Sequence, residues 1–240
     1  TLNYLEQRGI ELHGVKVETK SDAAFKVNEA KSGLGSSAAV TVATVGAVLS
    51  LHEIDLTDKK EIEVLHKIAQ YSHCTSQGKI GSGFDVAAST YGSIRYSRYS
   101  PEFAKINFSQ AIASTWDYSI TQISLPSFFY AIVANIPNKS TSTTQMVAKV
   151  KDFKEKNKVE YSKLIAELNQ DNQKAIKCLE SLQVKRSEEK LMEFQRWFDS
   201  SRTMLKTLGE KCGIEIESNQ MTQIISESKK HGAFVASLPG

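Results

Sequence analysis

The chain has 240 residues, of which 40% are apolar and 24% are charged, and its 30 basic and 27 acidic side chains leave a formal charge of +3. This composition is typical of a globular protein and excludes a disordered chain, a collagen and a coiled-coil rod. So small a net charge argues against a nucleic-acid partner, because proteins that bind nucleic acids typically carry a concentrated positive surface. No apolar run approaches the roughly 20 residues of a membrane span, so no membrane partner is expected.

The three cysteines suggest a cellular location, and the two chain ends suggest that the sequence is part of a longer chain. Cys74, Cys178 and Cys212 have no paired or zinc-ligand spacing, which indicates free thiols and a reducing, cytoplasmic location. The chain begins at Thr1 without the pattern of a signal peptide and ends in a turn-like segment at Gly240. We expect a piece of a longer chain.

The first part of the chain mixes strand and helix patterns. Residues 15–19 and 25–30 have the alternation of strands, and residues 38–51 are apolar on almost every side, which predicts a buried helix. Thr57 is the predicted N-cap of an amphipathic helix that follows. A segment rich in serine and glycine then occupies residues 75–83.

Helical patterns dominate the later part. A short helix is predicted at residues 84–89, and strands are predicted at 93–99, 120–125, 128–134 and 233–236. The remaining predicted helices cover residues 143–156, 160–182, 187–208 and 219–230. The change of pattern near residue 135 predicts two packed lobes, the first rich in strands and the second rich in helices.

The segment KSGLGSSAA, residues 31–39, is the strongest local signal for chemistry. Its two glycines allow a tight turn in which backbone N–H groups approach a ligand closely. The helix that follows directs unpaired N–H groups and partial positive charge at the same point, which favours phosphate. The segment matches neither GxxxxGK[ST] nor GxGxxG, and a glycine turn before a helix capped by Ser36 would explain it without a ligand.

Two motifs resemble those of a known family. KSGLGSSAA resembles the second conserved motif of the GHMP kinases, which include galactokinase, homoserine kinase, mevalonate kinase and phosphomevalonate kinase. GKIGSGFDVAASTYGSIRY, residues 78–96, is similar to the catalytic-aspartate segment of the phosphomevalonate kinases. Mevalonate kinases have proline and asparagine where this chain has Gly81 and Val86. With HCTSQ and the loop after Pro137, the resemblance spans most of residues 13–145.

The resemblance implies an α+β fold of the two-lobed GHMP kinase type, with a ribosomal protein S5 domain 2-like N-terminal lobe and a ferredoxin-like C-terminal lobe. The expected domains are residues 1–126, which bind ATP, and residues 127–240, which are rich in helices, with ATP and substrate between them. The family's first motif, a lysine-bearing strand, has no counterpart here, and its third would begin at Pro239 and Gly240. We therefore expect truncation at both ends.

The resemblance also implies ATP and Mg²⁺ as cofactors. The residues assigned to ATP are Gly33, Leu34, Gly35, Ser36, Ser37 and Ala38. Mevalonate kinases ligate Mg²⁺ through a glutamate about three helical turns before the aspartate, where this chain has His73 and Cys74. That leaves Ser36 or Ser37 as the metal ligand, and we assign Ser37. We expect His73 and Cys74 to be buried at a helix end and unreactive.

Asp85 and Lys31 are the catalytic residues that the resemblance implies. An acceptor phosphate has a second pKa near 6 and is largely ionised at pH 7, so it has little need of a base. We therefore expect Asp85 chiefly to position a lysine and the substrate, and only secondarily to remove a proton. A solvated surface position would also explain Lys31, as it would most single lysines.

Four side chains are expected to bind the substrate: Lys79, Ser82, Lys139 and Ser142. The last two belong to NKSTSTT, residues 138–144, which resembles a loop that family members bring into the active-site cleft. Capping of the next helix would explain these serines and threonines equally well. Arg95 and Arg98 lie in an alternating strand and are expected to face solvent, outside the site.

The implied activity is transfer of the γ-phosphoryl group of ATP to 5-phosphomevalonate, giving 5-diphosphomevalonate and ADP in the mevalonate route to isoprenoids. The expected partner is thus the small-molecule substrate phosphomevalonate, and a homodimer is one candidate for the oligomeric state, which the sequence leaves open. Another GHMP kinase, above all mevalonate kinase, is the nearest alternative. A catalytically silent ligand sensor is the second, although a sensor would not need Asp85.

Overall fold

The computed structural model describes residues 1–23, 26–27, 30–31, 35–134 and 143–238. The chain folds as two compact units, Thr1–Ser124 and Leu125–Gly240. Helices predominate in both units, and the strands among the described residues all lie in the first. The expected domains, an ATP-binding lobe at residues 1–126 and a helix-rich lobe at residues 127–240, stay predictions.

The first unit consists of short strands and five α-helices in its described part. The helices are α1 (Leu2–Gln7), α2 (Ser36–Leu51), α3 (Lys59–Gln77), α4 (Phe84–Tyr91) and α5 (Phe108–Ala113), and a 3-10 helix covers Pro101–Ala104. The strands are β1 (Lys26–Val27), β2 (Ala30–Lys31), β3 (Ile94–Ser97) and β4 (Ser119–Gln122). Each pair is antiparallel, with Val27 opposite Ala30 in one and Tyr96 opposite Ile120 in the other.

Helix α2 forms the centre of the first unit's core. Its small and β-branched side chains leave room for neighbouring helices, and residues such as Val45 and Leu49 are buried against α3 and α4. Gly46 allows a close approach, because a Cβ there would lie 3.3 Å from Cδ1 of Leu65. This packing fixes the first turn of α2 relative to the end of α3 and the start of α4.

Helix α3 begins and ends at clear local signals. Asp58 is its N-cap, and the carboxylate accepts a hydrogen bond of 2.7 Å from the backbone N–H of Lys60. The expected N-cap, Thr57, is wrong by one residue, because its N–H and hydroxyl instead donate to Asp55. The helix stops at Gly78, whose φ of 62° is the left-handed conformation of a common C-cap.

The second unit has four helices in its described part: α6 (Thr143–Lys156), α7 (Lys158–Val184), α8 (Glu188–Cys212) and α9 (Asn219–Lys230). Helices α7 and α8 pack together, with Leu182 and Phe194 among the buried side chains of their shared core. Aromatic residues from the flanking segments, Phe129 and Phe234, pack against the same cluster. The aromatic side chains thus attach the segments before α6 and after α9 to the helix pair.

The α+β class is confirmed, but the balance of strands is not as predicted. Residues 15–19 and 128–134 have no strand structure in the described chain, and 233–236 has none either. Alternating apolar residues have only a propensity to form a strand, because a strand also needs a neighbouring strand to which it is hydrogen-bonded. Tyr130 and Ile132 are 89% and 91% exposed in this segment. The ferredoxin-like description of the second lobe stays a prediction.

The four helices predicted after residue 142 and the buried helix at 38–51 are confirmed, with shifts of a few residues at their ends. Within the described residues, no helix is long and apolar enough to cross a membrane. The three cysteines are free, and Cys74 and Cys178 are buried.

Candidate active site

Two helices of the first unit begin at glycines in the left-handed conformation. Gly35 precedes α2 with a φ of 74°, and Gly83 precedes α4 with a φ of 83°. In the described chain neither helix has an N-cap side chain that bonds to it, and of the first N–H groups of α4 only that of Val86 donates to a side chain, Asp85. Such N-termini attract anions through these groups and through the helix dipole.

The starts of the two helices approach each other at Asp85. A Cβ placed on Gly35 would lie 3.6 Å from the Cβ of Asp85, so the glycine loop and the acidic side chain are in contact distance. One carboxylate oxygen, Oδ1, accepts a hydrogen bond of 2.9 Å from the N–H of Val86. The α4 dipole also favours a negative charge at this position in the first turn. Asp85 is therefore held as an oriented carboxylate beside the glycine turn.

Helix α3 brings two side chains of its last turns to the same place. Nε2 of His73 lies 2.7 Å from Oγ of Ser37 and 4.0 Å from Oδ2 of Asp85. Gln77, four residues later on the same face, donates from Nε2 to Oγ of Ser37 at 3.4 Å. The side chain of His73 is only 13% exposed and that of Asp85 is 30% exposed. Ser37, His73 and Asp85 thus form one connected polar cluster.

The loop at residues 81–83, which leads into α4, is held through its carbonyl groups. Tyr96 donates its hydroxyl to the carbonyl of Ser82 at 3.3 Å. Arg98 donates to the carbonyl of Gly81 at 3.0 Å, and the hydroxyl of Tyr99 donates to the same oxygen at 3.4 Å. Burial raises the pKa of Tyr96 to about 12, so the phenol keeps its donor proton at neutral pH.

Comparison with known proteins shows what the chain resembles. Residues 1–93 match the model of the GHMP kinases N-terminal domain, and this range contains the glycine turn and Asp85. The chain is similar to the GHMP kinases. Among them it is most like the phosphomevalonate kinases, which match it at 26% to 30% identity.

Two relatives show how far the similarity extends. The peroxisomal phosphomevalonate kinase of Arabidopsis thaliana is 30% identical over 90% of this chain and 54% of its own length. A mevalonate kinase of Pyrococcus abyssi is 26% identical over 87% of this chain and 52% of its own length. The chain spans about half the length of these curated relatives.

A solved structure supports the fold independently. The crystal structure of a Lin0012 protein from Listeria innocua superimposes with a TM-score of 0.75 and 24% sequence identity, covering 96% of this chain and 62% of that one. The α+β GHMP kinase fold predicted from the motifs is therefore confirmed.

The structure brings together several of the site residues that were predicted from the sequence. Gly35, Ser36 and Ser37 form the start of α2, beside Asp85. Ala38 is fully buried, so its contact with ATP stays a prediction. Lys79 and Ser82 are exposed in the connection between α3 and α4, and their contacts with a substrate stay predictions. Lys31 is described only as backbone of β2, and Gly33, Leu34, Lys139 and Ser142 lie outside the described residues.

Sequence reasoning missed contacts of two residues. His73 was expected to be buried at a helix end and unreactive; its side chain is 13% exposed, and it also contacts Ser37 and lies beside Asp85. Arg98 was expected to face solvent; it is exposed, and it also donates to the Gly81 carbonyl. The sequence signal for His73 is its spacing of four from Gln77 on one face of α3. Its neighbour Cys74 is buried, as expected.

Proposed function

We propose that the protein transfers the γ-phosphoryl group of ATP to the phosphate of 5-phosphomevalonate, giving 5-diphosphomevalonate and ADP. The observation that carries the proposal is the contact distance between Gly35 and Asp85, at the starts of α2 and α4, in a chain similar to the GHMP kinases. The names of the phosphomevalonate kinase relatives support the choice of acceptor.

Phosphoryl transfer requires chiefly alignment of the reactants and positive charge around the transferred group. The N–H groups at the start of α2 are suited to the ATP phosphates, because no side chain competes for them in the described chain. Lys31, Lys79 and Lys139 are the proposed cations, and Ser82 and Ser142 the proposed neutral ligands of the acceptor. Asp85 would orient the acceptor and a lysine, because an acceptor phosphate is already largely ionised at neutral pH.

The oxygen ligands of this site suit a magnesium ion that arrives with ATP. The carboxylate of Asp85 and the hydroxyl of Ser37 are hard donors, and both lie in the cluster around His73. The described residues contain no group of three His, Cys, Asp or Glu side chains that could hold a metal by themselves. Mg²⁺ usually binds through one or two protein oxygens together with substrate phosphates and water, so the donor set fits it. The ion would neutralise phosphate charge.

The acceptor is tested by measuring ADP release from the full-length protein with ATP and either phosphomevalonate, mevalonate or galactose. We expect turnover with phosphomevalonate only. Turnover restricted to mevalonate would contradict the proposed acceptor and favour mevalonate kinase. Nucleotide binding without turnover on any of the three would favour a ligand sensor.

The role of Asp85 is tested by replacing it with alanine or asparagine. We expect turnover to fall by a factor of at least about 10² in both variants, because misplacing the reactants by about 1 Å can cost about 10² in rate. Affinity for ATP should change by less than about threefold. Asp152→Asn, on the exposed face of α6, is the matched control. Equal loss of ATP binding and turnover would assign Asp85 a structural role instead.

The cellular location also belongs to this proposal. A cytoplasmic location agrees with the three free cysteines. One of the relatives carries a name that specifies peroxisomes, so fractionation of the source cells is the test that decides between the two locations.

A further inference from the structure

The hydroxyl of Ser37 lies between two side chains of α3. Its oxygen is 2.7 Å from Nε2 of His73 and 3.4 Å from Nε2 of Gln77. His73 and Gln77 are four residues apart on one helix, so both project from the same face. The contact joins the first turn of α2 to the last turns of α3, and it spans 36 residues of sequence.

The two contacts limit which way the Ser37 hydroxyl can point. A hydroxyl has one proton to donate and two lone pairs that accept. The amide nitrogen of Gln77 can only donate, so it occupies one lone pair of Oγ. A hydroxyl that ligates a cation through its second lone pair must direct its proton elsewhere, and Nε2 of His73 is the acceptor at the shorter distance. With His73 accepting, one lone pair of Ser37 stays available.

The same imidazole also lies against the carboxylate of the site. Nε2 of His73 is 4.0 Å from Oδ2 of Asp85, while the other carboxylate oxygen is held by the N–H of Val86. The imidazole is largely buried, with 13% of its side chain exposed, so it has little freedom to turn away. The His73 ring thus lies between Oγ of Ser37, at the start of α2, and Oδ2 of Asp85, at the start of α4, and fixes the separation of these two oxygens.

We propose that His73 is a positioning residue, which orients the Ser37 hydroxyl and holds it beside Asp85 so that both oxygens can meet the magnesium ion of bound ATP. The inference deepens the proposed function and rests on it for the presence of magnesium and ATP. Hydrogen-bond partners of metal ligands typically contribute ten- to a hundredfold to metal affinity, because they fix the ligand's orientation. His73 itself contacts neither the metal nor the substrate in this role.

The proposal is tested by measuring how much Mg²⁺ increases the affinity of the protein for ATP, which we call the magnesium gain. Binding of ATP to the full-length protein is measured by calorimetry with Mg²⁺ and with EDTA, without any acceptor. In His73→Leu, which keeps the bulk of the ring but has no nitrogen, we expect this gain to fall about tenfold while binding in EDTA changes less than about twofold. His73→Gln, whose amide oxygen can reach Ser37, should keep most of the gain. His231→Leu, at the exposed C-cap of α9, where the ring bonds to the carbonyl of Glu227, should leave both affinities unchanged.

A second variant isolates the path through Ser37. Ser37→Ala should lose a similar part of the magnesium gain, and adding His73→Leu to it should cost little more. If His73→Leu weakens binding equally in Mg²⁺ and EDTA, or lowers the gain as much in the Ser37→Ala background, the positioning role is wrong. Because no acceptor is present, a wild-type protein that binds ATP but does not phosphorylate phosphomevalonate would contradict the proposed function and leave this test intact.

Discussion

A Cβ placed on Gly83 would lie 2.6 Å from Oε1 of Gln70, a distance that real side chains do not adopt. It would also lie 2.9 Å from Cε1 of Tyr99 and 3.0 Å from the hydroxyl of Tyr96. Gln70 is fully buried, and its amide nitrogen donates to the sulfur of Cys74, so it has little room to retreat. The start of α4, and with it Asp85, therefore depends on the absence of a side chain at position 83.

Gly83→Ala should destabilise the protein by about 2 to 4 kcal/mol, because overpacking adds to the cost of a left-handed alanine. The free energy of unfolding is measured in urea. Gly78→Ala is the matched control, since its φ of 62° is also left-handed but a Cβ there would meet nothing within 4 Å. It should cost about 1 kcal/mol. Equal losses in the two variants would contradict the packing argument.

Gly35→Ala should weaken ATP binding more than it weakens the fold. Gly35 and Gly78 have similar left-handed φ values, 74° and 62°, so alanine costs about 1 kcal/mol of backbone energy at either position. Only at position 35 would the new methyl group enter the turn that faces Asp85. We expect at least about a tenfold loss of ATP affinity in Gly35→Ala and less than about twofold in Gly78→Ala, with similar melting temperatures. Equal affinities would argue against a phosphate site at this turn.

Local sequence signals predicted the helices and the glycine turn but not their contacts. The helix at 143–156 was predicted with its observed bounds, because its spacing and its end are local properties. Asp58 and Thr57 are both good N-caps, and the sequence does not distinguish between adjacent candidates. His73 was missed because its role depends on how α2 packs against α3, and Ser37 is 36 residues away in sequence. Predicted strands such as 15–19 failed because alternation does not specify a pairing partner.

His66, at the centre of α3, should make the stability depend on pH. The ring is fully buried beside Tyr91 and Tyr118, and neither ring nitrogen has a hydrogen-bond partner among the described residues. Burial, with a smaller contribution from the charge of Lys67, lowers the pKa of His66 from 6.5 to about 4. Between these values the unfolded chain binds more protons than the folded one, so stability rises with pH through this window and its gain is complete above 6.5.

The expected loss from His66 is about 3 kcal/mol between pH 7 and pH 4. Leucine fits the apolar surroundings, so the stability of His66→Leu at pH 7 should stay within about 1.5 kcal/mol of the wild type. Between pH 7 and pH 4 the variant should lose about 3 kcal/mol less stability than the wild type. Unfolding in urea at several pH values measures both quantities. His231→Leu, at an exposed position, should retain the wild-type slope. An unchanged slope in His66→Leu would mean that other groups cause the decline.

In the second unit, the carboxylate of Glu217 is buried and paired with Arg202. Nε and Nη2 of the guanidinium donate to the two carboxylate oxygens at 2.8 and 2.5 Å, and the hydroxyl of Thr222 donates to Oε1 at 2.6 Å. The bond from Arg202 is the main cause that lowers the pKa of Glu217. The stabilisation from this carboxylate is therefore present above its unfolded pKa of 4.5 and is lost as the pH falls through its lower folded pKa.

Arg202→Leu should cost about 3 kcal/mol at pH 7, because the buried carboxylate loses its bidentate partner and keeps Lys206, at 3.9 Å, as its remaining cation in the described chain. Adding Glu217→Gln should recover part of that loss, since the amide carries no charge to desolvate. Asp152→Asn breaks an exposed ion pair with Lys156 and should cost less than about 0.5 kcal/mol. The explanation is tested by measuring the free energies of unfolding of Arg202→Leu, the double variant and Asp152→Asn. A double variant less stable than Arg202→Leu alone would show that packing and hydrogen bonding, rather than the buried charge, dominate at this position.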